Sequence, residues 1–138
     1  MNKFKIKSFC KINLFLKVVK KLNNGYHNIK TLITFCNLYD VINISIAKGA
    51  KDNIIFSGKF KKGINKKSNI VTKALNILRK NGFLKKNIFK IDIKKNIPHG
   101  SGLGGGSSNA ADLLNHFNQK MQLKIKKKTR KISKKNRL

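Results

Sequence analysis

The stretch PHGSGLGGGSSNAA, Pro98 to Ala111, decides how this chain is read. It holds the single proline and, between Gly100 and Gly106, five of the 10 glycines. Glycine is costly to order, so this concentration marks a place where the backbone turns tightly or admits a close neighbour. Upstream, NIFKIDIKKNI sets Ile88, Lys90 and Asp92 against Phe89, Ile91 and Ile93, the period of a strand. Downstream, Ala110, Leu113, Leu114, Phe117 and Met121 have helical spacing. A helix start carries unpaired N–H groups and a partial positive charge. A glycine-rich lead-in adds more N–H groups and lets an anion come close, which makes a phosphate cradle. Ser101, Ser107 and Ser108 add hydroxyls for phosphate or a bound Mg2+, and Ser107 or Ser108 is expected to cap the helix.

Spacing separates this loop from two other nucleotide loops. In G-x-x-x-x-G-K-[ST], Gly100 and Gly105 fit but Gly106 stands where Lys is required. In G-x-G-x-x-G, Gly100, Gly102 and Gly105 fit, but the acid wanted about 20 positions later is missing from KIKKK.

Working outward, CKINLFLKVVK alternates, with Ile12, Leu14, Leu16 and Val18 expected to face a core. Asn23, Asn24 and Gly25 read as a turn. TLITFCNLYDVINISIAK gives one or two further strands with a break near Asn37 to Asp40, and DNIIFSG a short one. SNIVTKALNILRKNG is a helix, with Ser68 as the expected N-cap, Val71, Ala74, Leu75 and Leu78 as its apolar stripe, and Gly82 at its C-terminal end.

The charge balance is extreme, with Lys+Arg 33 against Asp+Glu 4 and a net charge of +29. Such a surface suits an anionic partner. Joint over-use of Lys, Asn and Ile, with Arg only at 79, 130 and 137, fits an AT-rich coding bias equally well. KIKKKTRKISKKNRL is too charged to bury much surface and is expected to be a frayed helix or disordered tail. Cys10 and Cys36 match no zinc or C-x-x-C spacing and read as small buried thiols. No His stands near a Cys or carboxylate cluster, so no metal site is indicated; His99 reads as a variable loop position and His116 as an exposed helix residue. There is no signal-peptide core and no uncharged run of spanning length, so the expected setting is cytoplasmic, with no membrane and no specific nucleic-acid partner; oligomeric state stays open.

IPHGSGLGGGSSNAA resembles the ATP-binding motif of the GHMP kinases. CKINLFLKV and NNGYHNIKTLITFCNLYDVI resemble two motifs of one branch, the 4-diphosphocytidyl-2-C-methyl-D-erythritol kinases, with Cys10 where Ala is usual. The resemblance implies an α+β fold, that of the GHMP kinase N-terminal domain: a mixed sheet with helices on one side. It implies ATP-dependent phosphorylation of a CDP-linked methylerythritol, with Mg2+, on the non-mevalonate isoprenoid route. Pro98, His99, Gly100, Ser101, Gly102, Leu103, Gly104, Gly105, Gly106, Ser107 and Ser108 would hold ATP. Lys11 would be the catalytic lysine. Asn13, on the same strand face, would line the cleft and bind substrate, and Tyr26 and His27 would hold its cytidine end.

The family's proton-accepting Asp lies in a G-x-D-V-P-type segment, and none of Asp40, Asp52, Asp92 and Asp112 is followed by Val-Pro. Asp112 has helix neighbours that do not fit. The motif resemblance fades near Lys120 to Leu123. The expectation is therefore one GHMP N-terminal domain over residues 1–120, a basic tail over 121–138 and no second GHMP domain: a truncated or frameshifted product, inactive alone and poorly soluble. Two other readings compete, a GHMP-type kinase for another small molecule and a basic module binding RNA or anions through its tail.

Overall fold

The alternating and helical patterns build four strands and two helices in the computed structural model, which describes residues 3–65 and 68–120. In chain order they are β1 (Lys3–Lys21), β2 (His27–Ala47), β3 (Asn53–Ser57), α1 (Ile70–Lys80), β4 (Ile88–Lys94) and α2 (Gly105–Lys120). The basic tail lies outside the described residues.

The strands form one sheet in the order β1-β2-β4-β3. β1 with β2 and β2 with β4 are antiparallel, while β3 and β4 are parallel. Parallel neighbours need a crossover, and α1 supplies it. Register places Ile42 opposite Ile93 and Ile44 opposite Ile91, with Ile54 and Phe56 beside Ile91 and Ile93 on the far side. These side chains meet Val71, Ala74, Leu75 and Leu78 of α1 and Ala110, Leu113 and Phe117 of α2 in one buried cluster. Both helices therefore cover the same sheet face, and Lys3, Lys5, Asn43, Lys90 and Lys94 stand exposed on the other. Ile91, at the centre and 0 % exposed, is a position where truncation to Ala costs about 2–5 kcal/mol.

Several expectations shift. Asn69, not Ser68, caps α1, its side chain accepting from Thr72 N at 2.9 Å. Gly82 does sit just past the end of α1 with φ +70°, donating to Arg79 O at 2.9 Å. β2 runs unbroken, and the sequence break near Asn37 appears as a bulge: Phe9 faces Tyr39, but Cys10 faces Cys36. His116 is half-buried, 4.9 Å from the Phe4 ring. Burial, helped by the charge of Lys120, holds its imidazole below the usual histidine value.

The largest departure is the outer part of the β1–β2 hairpin. Leu14, Leu16 and Val18, expected to face a core, are 62%, 51% and 54% exposed. A register shift between Asn13 and Phe15 interrupts the expected alternation at Leu14, and none of the described residues buries this part of the hairpin.

Candidate active site

Residues 95–104 join β4 to α2, and the glycine loop is the part from Pro98 onward. Gly100, Gly102 and Gly104 have φ of +75°, +76° and +70°, so alternate residues adopt the left-handed conformation. Such alternation turns successive N–H groups toward one concave side. α2 opens at Gly105, so Ser107 and Ser108 belong to its first turn and do not cap it. Ser108 N donates to Gly104 O at 2.8 Å, which leaves the preceding amides at the open, positive end of the helix. Space is tight at Gly105: a Cβ there would lie 3.0 Å from Ile97 Cγ2 and 3.4 Å from Lys95 Nζ.

A cavity lies on each side of this loop. The first, about 560 Å³, is walled by the glycine loop, Gly63–Asn65, Ser68, Asn69 and the start of α1, with Lys95 and Asn109 among its lining residues. Asn109 Oδ1 is buried there with no hydrogen-bond partner among the described residues. The second, about 610 Å³, is walled by Lys7, Phe9 and Lys11 of β1, Phe35 of β2, and Ala111, Asp112 and Asn115 of α2. Gly102, Gly104 and Ser107 line both.

Lys11 is fixed against the loop. Its N–H donates to Leu103 O at 3.0 Å, and its Cβ and Cε lie 3.8 Å from the position a Gly104 Cβ would take. Asp112 is the one carboxylate lining the second cavity among the described residues. Asn13 continues the strand face of Lys11, where its Oδ1 accepts from the Thr31 hydroxyl at 3.4 Å. His99 is exposed, with its ring against Gly63. Ser101 Oγ donates to Pro98 O at 2.7 Å, closing a turn.

Tyr26 and His27 stand elsewhere. They lie at the hairpin tip, where Lys21 faces His27, ten strand positions from Lys11. That is roughly 33 Å along the strand at about 3.3 Å per residue. Neither lines either cavity.

Three residues missed from the sequence sit behind the loop. Asp40, 0 % exposed, ion-pairs with Lys95. Its Oδ1 also accepts from Asn96 N at 2.7 Å and Ile97 N at 2.9 Å, and its Oδ2 from Asn109 Nδ2 at 3.0 Å. The sequence signal was an acid, one of four in the chain, at the end of an apolar run.

These features define a class: the fold is that of the GHMP kinase N-terminal domain. Residues 69–134 match the family model described as the GHMP kinases N terminal domain, so the match runs past Lys120 into the basic segment. The chain is similar to the 4-diphosphocytidyl-2-C-methyl-D-erythritol kinases of Pelagibacter ubique, 46% identical over 96% of this chain and 47% of that one, and of Francisella tularensis subsp. tularensis, 41% identical over 78% and 38%. It spans about half or less of the length of these relatives. A crystal structure of 4-(cytidine 5'-diphospho)-2C-methyl-D-erythritol kinase superposes with a TM-score of 0.67 at 27% identity, over 88% of this chain and 42% of that one. Homoserine kinase from Cytophaga hutchinsonii, at TM-score 0.61 and 19% identity, shares the fold. Among the described residues no helix is long and apolar enough to cross a membrane.

Proposed function

We propose that this chain forms the nucleotide-binding half of a kinase that moves the γ-phosphoryl group of ATP to the 2-hydroxyl of 4-diphosphocytidyl-2-C-methyl-D-erythritol, in the cytoplasm. The observation that carries this reading is the glycine loop standing between two cavities, with Lys11 in one and the open end of α2 between them. ATP would fill the first cavity, its phosphates running along Pro98–Ser108 toward the second. There the acceptor hydroxyl oxygen would form a bond to the γ-phosphorus as the bond to the ADP oxygen breaks, and the hydroxyl proton would pass to an acceptor. The Lys11 ammonium would offset charge on the transferring group.

Asp112 stands where it could take the hydroxyl proton, although its sequence context is not that of the family's acceptor, and Asp112→Asn tests it directly. Mg2+ fits the donor set present. Ser107 and Ser108 offer hydroxyls beside the phosphate path, and magnesium is usually held by few protein ligands plus phosphates. When bound it would neutralise phosphate charge. Tyr26 and His27 keep their proposed role at the cytidine end, which requires the hairpin tip to approach the second cavity.

Calorimetric titration with ATP and Mg2+ is the test. Binding should persist after deletion of residues 121–138. Lys11→Met should leave ATP affinity within about threefold and, with the other half of the kinase supplied, reduce phosphoryl transfer by roughly a hundredfold. A chain that ignores ATP but binds RNA in a salt-dependent, tail-dependent manner would overturn the kinase reading. ATP binding with no response of cytidine-nucleotide affinity to Tyr26→Ala or His27→Ala would favour another small-molecule acceptor.

A further inference from the structure

We propose that Asp40 is a positioning residue that sets the span of the glycine loop by gripping both of its ends. On the entry side its Oδ1 takes the N–H groups of Asn96 and Ile97, directly before Pro98. Asn96 is also tied to the same strand through its side-chain N–H on Tyr39 O at 2.9 Å. On the exit side Asp40 Oδ2 takes the Asn109 carboxamide N–H at 3.0 Å, one turn into α2. Lys95 pairs with the same carboxylate in a buried setting. One carboxylate therefore fixes where the loop leaves β4 and where it enters the helix. β2, which carries Asp40, is locked to β4 by the ladder from Val41–Lys94 to Ala47–Ile88. Bonds to a charged acceptor are stronger than neutral ones, and at 0 % exposure no water competes for it. With its ends fixed, the loop is held open for phosphate before any ligand arrives, so binding need not bear the cost of ordering it.

This deepens the nucleotide reading of the first cavity and rests on it, but it has a readout of its own. Amide hydrogen exchange on the full chain reports loop order without ligand. In Asp40→Asn, the amides of Asn96, Ile97 and residues 100–108 should exchange at least roughly tenfold faster, with those of α1 unchanged, as expected for loss of a local anchor. ATP affinity should fall by about tenfold or more, the effect of losing charge-assisted bonds that preorganise the loop. A uniform rise in exchange across α1 and the loop, or no rise at all, overturns the proposal. If Asp40→Asn fails to fold because Lys95 is left buried and unpaired, the charge-neutral Asp40→Asn/Lys95→Met pair takes its place, with exchange as the deciding readout. A wild-type chain that does not bind ATP refutes the nucleotide reading, while the exchange pattern still decides whether Asp40 holds the loop.

Discussion

Cys10 and Cys36 face each other across the β1–β2 ladder, beside the bulge that leaves Asn37 and Leu38 unpaired. Directly opposed residues in an antiparallel pair have Cα atoms about 4.5–5.5 Å apart, inside the window a disulfide needs of about 4.4–6.8 Å. Cys10 is buried and Cys36 half-buried. Burial, and then the neighbouring Cys10 thiol, push the Cys36 thiol up, so little of it is thiolate at neutral pH. Oxidised glutathione should nevertheless join the two in a single chain, more quickly as pH rises, with release of two reduced glutathiones. The product is a monomer lighter by two hydrogens, absent in Cys10→Ala. Mixed glutathione adducts alone would contradict the pairing.

Neighbouring glycines of the loop should respond differently to alanine. At Gly105 an added Cβ meets Ile97 at 3.0 Å and 3.2 Å, and Ile97 is fully buried and stiff at χ1. At Gly106 the nearest atom is Ile70 Cγ2 at 3.5 Å, an ordinary contact. Gly105→Ala should lose about 1–3 kcal/mol of stability and weaken ATP binding, while Gly106→Ala should be close to neutral or stabilise the helix. Urea melts and ATP titration of the two variants side by side check this.

Arg79 ties three segments together. It forks onto Asp52 through Nε–Oδ2 at 2.8 Å and Nη2–Oδ1 at 2.6 Å, and also reaches Lys85 O at 3.0 Å and Asn87 O. Asp52 in turn accepts from Phe89 N at 2.9 Å. Lysine cannot reproduce the planar fork, so Arg79→Lys should cost about 1–3 kcal/mol in urea unfolding.

His116 should make stability depend on pH. Its folded pKa lies below the ordinary 6.5. As pH falls through 6.5, the unfolded chain takes up a proton that the folded chain resists. Its contribution is fully present above that pH and is lost as pH drops toward the folded value. Melting temperature measured from pH 7.5 downward should decline, and His116→Phe should flatten that part of the decline; an unchanged slope would assign it to other groups.

The strand, loop and helix around Pro98–Ala111 were legible because period and glycine spacing are local signals. The start of α2 was not. Glycine is a poor helix former, yet Gly105 and Gly106 form the first residues of α2. Leu14, Leu16 and Val18 were expected to share the face of Ile12, but the bulge between Asn13 and Phe15 leaves Leu14 unpaired and turns Leu16 and Val18 to the face of Asn13, a change that strict alternation cannot show. Asp40 was invisible as an anchor because Lys95 and Asn109 lie 55 and 69 residues away in sequence. Tyr26 and His27 came from motif likeness alone, and the hairpin holds them at its tip.

The wall shared by the two cavities has a thermodynamic consequence. Gly102, Gly104 and Ser107 belong to both, so a ligand that shifts them on one side alters the shape offered on the other. Linkage then makes the effect mutual: whatever factor the occupant of one cavity imposes on its neighbour's affinity, it receives in return.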